Sequence, residues 1–282
     1  AVYGSLAARA AGVPGRVNSV AGMGYVFISN SAKARILRPI VRTLLRLALG
    51  GRGARVILQN PDDVALFTSH RLVDPERIRL IPGSGVDCKR FHPGPPRPPG
   101  DPLRVLLPAR LLWDKGLAEY VAAARRLKSE RRDIHFLLAG QPDPGNPASV
   151  PEETVKQWEE EGVLEWLGHV EDMPALFRSV DVVALPSYRE GLPKGLIEAG
   201  ASGCALVTTD VPGCREVVVN GVDGLLVAAR ESAPLAEALA RLHDEPGLRA
   251  QLAVGARCKA ISLFDEKIVV ESTLRSYSEI RA

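Results

Sequence analysis

Residues 186–203 read PSYREGLPKGLIEAGASG and place two carboxylates, Glu190 and Glu198, around a turn and the start of an apolar helix. Pro193 suits the first turn of that helix, where a missing N–H costs nothing. Gly191 lets a ligand approach the backbone closely. The backbone of the turn, Gly191, Leu192, Pro193 and Lys194, then faces an incoming anion, and the positive end of the helix adds to the attraction. A carboxylate repels phosphate but accepts hydrogen bonds from hydroxyls, which sugars supply on both sides of a diphosphate. Glu198 also lies four residues after Lys194 on one helix face. A cap at Glu190 and an ordinary Lys194–Glu198 surface pair are therefore the alternative reading.

A second candidate is ARLLWDKGL, residues 109–117, with Arg110 and Lys115 on a loop between a strand and a helix. Ligands bind at the carboxyl ends of parallel strands, and two cations beside a helix start suit a diphosphate. Two solvated surface charges are the alternative. The glycine-rich candidate GMGYVF, 22–27, has Phe27 where a third glycine belongs, and no G-x-x-x-x-G-K-[ST] run exists. That argues against dinucleotide or ATP use of those kinds. Cys88, Cys204, Cys214 and Cys258 are scattered, without a CxxC pair or a histidine cluster. They speak against zinc and for a reducing cytoplasm, and neither a metal nor a cofactor is expected.

These residues need a scaffold of parallel strands. LRVLLPA (103–109), IHFLLAG (134–140), VLEWLG (163–168), DVVALPS (181–187), CALVTTD (204–210) and GLLV (224–227) read as strands. Helical patterns fall between and after them at 116–130, 150–162, 172–180, 193–203, 213–219, 232–243 and 246–259. Short apolar runs alternating with helices predict a doubly wound parallel sheet covered on both faces. The first 91 residues show the same alternation, with strands near 16–20, 54–58 and 77–81 and helices near 3–11, 31–49 and 60–68. Three strands make only an incomplete Rossmann-like domain. The run HPGPPRPPGDP, 92–102, with six prolines and two glycines, suits a linker. The donor-side domain is then 103–262, and a final helix within 263–282 is expected to pack back on the first domain.

At 282 residues, with 46% hydrophobic and 24% charged content, the chain can bury a sizeable core. No run approaches the ~18 apolar residues of a membrane span. The charge is uneven: residues 1–100 hold 15 Lys and Arg against 5 Asp and Glu, and the remainder holds 21 against 28. Arg35, Arg38, Arg42 and Arg46 form one stripe on a helix over 31–49 whose other residues are largely apolar. Such a helix can lie on an anionic membrane surface, or pack on a core with a solvated arginine face. Nucleic acid is a poorer match, since no aromatic platform accompanies the basic region.

Taken together, these motifs resemble the donor-binding half of retaining GT-B glycosyltransferases of family 4. Glu190 and Glu198 match the family's E-x7-E element, Arg110 and Lys115 its donor-phosphate pair, and GSGVD…F, 83–91, the segment before the linker. GHVEDMPALF, 168–177, is similar to the segment that meets the base through its backbone, at Val170. NPASVPEE, SYREGLPK and TDVPGCREVV further resemble bacterial enzymes that extend undecaprenyl-diphosphate-linked sugars in O-antigen or N-glycan assembly. The resemblance implies a GT-B fold of two Rossmann-like domains and a nucleotide-sugar donor, UDP-linked, carrying an N-acetylhexosamine or related hexose. It implies a lipid-linked saccharide acceptor, catalysis by Glu190, Arg110 and Lys115, and a place on the inner face of the cytoplasmic membrane. It also implies a preceding segment of about a hundred residues, half of a typical domain. Other GT-B enzymes, such as an epimerase or phosphorylase, and a non-catalytic nucleotide-sugar binder are the rivals; no lysine has the context a phosphorylase's pyridoxal needs.

Overall fold

The computed structural model describes residues 2–20, 32–51, 53–83, 85–98 and 100–280, with no side-chain description at 32–35. The glycine-rich run at 22–27 and the side chain of Arg35 lie outside those residues. The chain divides into two units, Ala1–Gly85 with Glu266–Ala282, and Val86–Asp265.

The first unit contains α1 (Val2–Ala10), β1 (Arg16–Val20), α2 (Ala32–Leu49), β2 (Ala54–Leu58), α3 (Pro61–Ser69) and β3 (Ile78–Leu80). Its strands are parallel in the order β1-β2-β3. Alternation along β2 sorts its side chains between two faces. Val56 and Leu58 pack with Leu49, Phe67 and Leu72, while Ile57 packs with Ile81 and Val269. At α3, the Asn60 side chain accepts from the Asp63 amide at 2.7 Å, and Pro61 follows it in the first turn, a strong helix start. Its far end is closed by α2. Arg46 donates to the carbonyls of His70 and Arg71 at 2.8 and 2.9 Å, and the Arg42 guanidinium lies 3.1 Å from the His70 ring. Burial first, then the charges of Arg42, Arg38 and Arg46, hold the His70 pKa below its ordinary value.

The second unit runs β4 (Leu103–Pro108), α4 (Leu117–Ser129), β5 (Ile134–Ala139), α5 (Glu152–Glu160), β6 (Glu165–Gly168), α6 (Met173–Arg178), β7 (Val182–Leu185), α7 (Lys194–Ala201), β8 (Ala205–Thr209), α8 (Cys214–Val217), β9 (Leu225–Val227), α9 (Ser232–Asp244) and α10 (Pro246–Leu263). All six strands are parallel, ordered β6-β5-β4-β7-β8-β9. Both faces of the central strands are covered, so β4, β5, β7 and β8 are mostly apolar rather than alternating, while the edge strand β6 keeps an exposed Glu165. Val105, Leu107, Phe136, Leu138, Val182 and Val207 pack with α4, α5 and α9. Leu106, Leu137, Val183, Leu185 and Leu206 pack with α6, α7 and α10.

The proline-rich run at 92–102, read as a linker, belongs to the second unit together with the residues just before it. Val86, Cys88 and Phe91 are buried in that unit's core. Arg257 of α10 donates to the carbonyls of Phe91 and Cys88 at 2.6 and 3.1 Å, and to that of Ala201. Arg97 pairs with Asp181 at 2.8 Å. Apolar burial and a multiply bonded arginine override the breaker composition. The last helix, α11 (Glu266–Ser278), falls in the first unit. It contributes Val269 to the face shared with Ile57, and just beyond it Glu279 pairs with Arg55 at 3.2 Å and with Arg79.

Tyr120 is wholly buried under the sheet, its hydroxyl 2.8 Å from the Val105 carbonyl and 3.0 Å from that of Leu137. It therefore bridges β4 and β5, the strand pair beneath the basic loop. Tyr120→Phe is expected to cost about 1–2 kcal/mol, one buried hydrogen bond, read as a lower denaturant midpoint with unchanged slope.

Candidate functional site

The strand order contains a reversal. From β4 the chain proceeds to β5 on one side, and from β7 to β8 on the other, yet β4 and β7 are neighbours. The loops leaving their carboxyl ends therefore stand at the switch point of the sheet, the place where doubly wound sheets bind ligands. Arg110 and Lys115 follow β4, and Glu190 through Lys194 follow β7.

Backbone contacts lock these two loops together. The Tyr188 amide donates to the Asp114 carbonyl at 2.9 Å. Gly116 closes the turn at Trp113–Lys115 with φ 76°, and a Cβ there would lie 2.1 Å from the Pro186 carbonyl oxygen. Gly213, at φ 81°, is equally constrained: its Cβ would fall 2.6 Å from the carbonyl oxygens of Glu190 and Gly191. Only glycine meets both demands.

Between the two loops, the Lys115 Nζ donates to Glu190 Oε1 at 2.6 Å, and the Ser187 hydroxyl donates to the same oxygen at 2.6 Å. The Lys115 and Glu190 side chains are only 19% and 12% exposed. Arg110 is instead 65% exposed and pairs with Asp143 at 2.7 Å. Lys194 and Glu198 are 3.5 Å apart. The structure thus gathers Lys115, Glu190 and the start of α7, and turns Arg110 toward the 141–149 loop. Pro193 is the cap of α7 rather than its first-turn residue, with φ −73° and ψ 98°. Leu196 and Ile197 donate to the Pro193 carbonyl at 3.1 and 3.3 Å, so the amides of Lys194 and Gly195 precede the first bond within the helix. Leu192 packs on the α7 face of the core, as does Val170 in the loop before α6. Arg38, Arg42 and Arg46 lie in the other unit.

Several participants were not singled out from sequence. Ser187 and Tyr188 stand inside the quoted motif but carry no distinctive spacing. The Tyr188 hydroxyl donates to Glu119 at 2.8 Å, and the Arg230 guanidinium stacks 4.0 Å from its ring centroid. Burial and the Glu119 carboxylate push its pKa up to about 12, so it remains a donor. Cys214 is buried near Glu190 and Lys115, its thiol pushed up to about 11 chiefly by burial; it is inert at neutral pH. Among the described residues, no three His, Cys, Asp or Glu side chains gather as a metal-holding group. A cavity of about 590 Å³ lies at the opposite, amino ends of the strands, lined by residues that include Arg97, Asp133, Asp181 and Arg249. The Lys115–Glu190 pair lies instead at the carboxyl ends of the strands.

The family model "Glycosyl transferases group 1" matches residues 102–245. A Campylobacter jejuni N,N'-diacetylbacillosaminyl-diphospho-undecaprenol alpha-1,3-N-acetylgalactosaminyltransferase is 30% identical over 99% of this chain and 74% of its own length. An Escherichia coli UDP-Gal:alpha-D-GlcNAc-diphosphoundecaprenol alpha-1,3-galactosyltransferase is 27% identical over 86% of this chain and 64% of its own. Among solved structures, Anabaena HepE in complex with UDP superposes with a TM-score of 0.81 at 22% identity, covering 99% of this chain and 76% of that one. The chain belongs to the group 1 glycosyltransferases, and its fold is of the GT-B type with two Rossmann-like domains.

Burial raises the pKa of Glu198, outweighing the opposing effects of Lys194 and then Arg90. The folded chain therefore holds this proton more tightly than the unfolded chain does. The group's contribution to stability is complete below its ordinary value of 4.5 and is lost as pH rises through the higher folded value. Glu198→Gln is expected to raise the apparent melting midpoint at pH 7.5 by about 1–3 °C and to bring little gain at pH 4. A lower midpoint at pH 7.5 would show that the pairing with Lys194 outweighs burial.

Proposed function

We propose that this chain transfers a hexose or N-acetylhexosamine, with retention at the anomeric carbon, from a UDP-linked donor to an undecaprenyl-diphosphate-linked saccharide. The observation that carries the reading is the little-exposed Lys115–Glu190 pair that joins the loops after β4 and β7, just ahead of the start of α7. UDP in HepE and the lipid-linked acceptors in the names of the Campylobacter and Escherichia relatives support it.

In this reading the donor diphosphate displaces Glu190 from Lys115. The ammonium, Arg110 and the amides of Lys194 and Gly195 then stabilise the charge that grows as the diphosphate departs. Glu190, released from Lys115, accepts hydrogen bonds from hydroxyls of the transferred sugar. Glu198 holds the ribose hydroxyls, and the backbone at Val170 meets the base. The acceptor hydroxyl attacks on the face the diphosphate is leaving; the glycosidic bond forms as the sugar–phosphate bond breaks, and the departing phosphate oxygen takes the acceptor proton. No resident cofactor or metal enters this scheme.

Glu190→Ala is expected to lower turnover about 100-fold or more, the scale of one lost transition-state contact, while UDP affinity stays within about threefold. Glu198→Ala is expected to weaken UDP about tenfold, one hydrogen bond to a charged group. Calorimetry with UDP, a UDP-N-acetylhexosamine and GDP-mannose, alongside transfer assays on a lipid-linked acceptor, reads both. The reverse pattern contradicts the division of labour. Donor binding without turnover of any acceptor favours a non-catalytic binder.

A lipid-linked acceptor requires access to a membrane. No helix among the described residues is long and apolar enough to cross one. On α2, however, Ile36, Ile40, Leu44 and Leu47 are 71, 55, 41 and 49% exposed, a row at helical spacing beside the arginine stripe. We propose that this helix lies on the anionic cytoplasmic leaflet, apolar row inward, with Arg38 among the basic residues flanking it. Ile40→Glu with Leu44→Glu is expected to cut binding to vesicles containing anionic lipid at least about tenfold, and replacing Arg38, Arg42 and Arg46 should weaken it further. Unchanged co-sedimentation would remove the membrane role.

A further inference from the structure

Arg110 is the cation of the site that the fold controls least, because its side chain is 65% exposed. A long exposed arginine samples many rotamers, and a transfer site loses rate when a charge is misplaced by even an ångström. Its guanidinium is nevertheless fixed at one nitrogen, Nη1, which donates to Asp143 Oδ2 at 2.7 Å. One of five guanidinium donors is used, and the remaining four stay available for phosphate oxygens.

Asp143 is itself held. Asn146 Nδ2 donates to the same carboxylate oxygen at 3.1 Å, and the Asp143 amide donates to the Ser149 hydroxyl at 3.0 Å. The Ala148 amide donates to Asn146 Oδ1 at 3.0 Å. The loop is then stapled to the segment that carries Arg110. The Leu111 amide donates to the Gln141 carbonyl at 2.9 Å, that of Trp113 to Ala148 at 2.9 Å, and that of Val150 to Leu111 at 2.8 Å. Asp143 thus sits in a frame stapled to the segment that directly follows the arginine it binds. A chance surface pair has no such frame.

We infer that Asp143 is a positioning residue for Arg110, and that the 141–149 loop aims the guanidinium at the donor diphosphate; this rests on the donor-site reading above. Two effects of the carboxylate compete. Its charge repels a diphosphate, but Asp143 is 29% exposed beside a largely exposed arginine, so water and salt screen much of that repulsion. Fixing the arginine removes a rotamer search from the binding step. Positioning therefore wins, and removing the carboxylate weakens binding rather than strengthening it.

The experiment measures UDP by calorimetry and uridine by NMR titration, at one ionic strength, in wild type, Asp143→Ala, Asp143→Asn, Arg110→Ala and the double variant Arg110→Ala/Asp143→Ala. Asp143→Ala is expected to weaken UDP about tenfold, the scale of one hydrogen bond to a charged group, and to leave uridine unchanged within about twofold. Asp143→Asn, which keeps the shape of the loop, is expected to lose about threefold and carries the test if the alanine variant does not fold. The double variant should be no weaker than Arg110→Ala alone, because the two residues act as one unit. Unchanged or tighter UDP binding in the Asp143 variants, with Arg110→Ala weakened, overturns the inference. Equal losses for UDP and uridine also overturn it, since Asp143 would then only hold the loop together. If Arg110→Ala itself binds UDP like wild type, the donor-site reading falls, and this inference with it.

Discussion

The site turns on one ion pair, between Lys115 and Glu190. Neither side chain is more than one-fifth exposed, so each has given up most of its water, a cost that a single Coulomb attraction repays poorly. The pair persists because the same carboxylate oxygen also accepts from Ser187, and because the backbone delivers both partners to one point. Arg110 pairs with Asp143 and Lys194 with Glu198, but there both cations are exposed. Lys115, Arg110 and Lys194 thus each have a carboxylate partner. In the proposed reading, an entering diphosphate exchanges partners rather than meeting a bare field, and the carboxylates it displaces accept hydrogen bonds from sugar hydroxyls.

That exchange requires a backbone that does not relax when the pair opens. The sheet reversal between β4 and β7 brings the two loops side by side, and the Tyr188–Asp114 backbone bond holds them there. Thr208 and Thr209, fully buried, donate from their hydroxyls to the carbonyls of Leu185 and Ser187. They tie the end of β7 to β8. Close approaches at Gly116 and Gly213 leave no room for a side chain. The flexible part of the site is its side chains, and the rigid part is the frame on which they are mounted.

Much of this was legible in the residues. Apolar runs of strand length located all six strands of the second unit, because strands buried on both faces cannot hide polar residues. The two glutamates and two cations stood out because charge beside apolar runs and glycine turns is costly without a purpose. The Arg110–Asp143 pair was not legible: its partners are 33 residues apart, and only the β4–β5 pairing in the fold brings their loops together. Gly213 and Ser187 looked ordinary, since a close approach is a property of two segments and a sequence shows one at a time. The proline run at 92–102 misled because composition reports what a segment cannot form, not what it packs against. Pro193 was displaced by one position, from first turn to cap, a shift that propensity does not resolve.

Where the diphosphate sits decides whether Lys115 and the start of α7 form the donor site. A crystal structure of the chain with UDP tests this most directly. It is expected to show the diphosphate within hydrogen-bond distance of Lys115 Nζ and of the Lys194 and Gly195 amides, with Lys115 withdrawn from Glu190. A diphosphate bound elsewhere, for instance beside Arg97 and Arg249 at the opposite end of the sheet, with the Lys115–Glu190 pair intact, would contradict it.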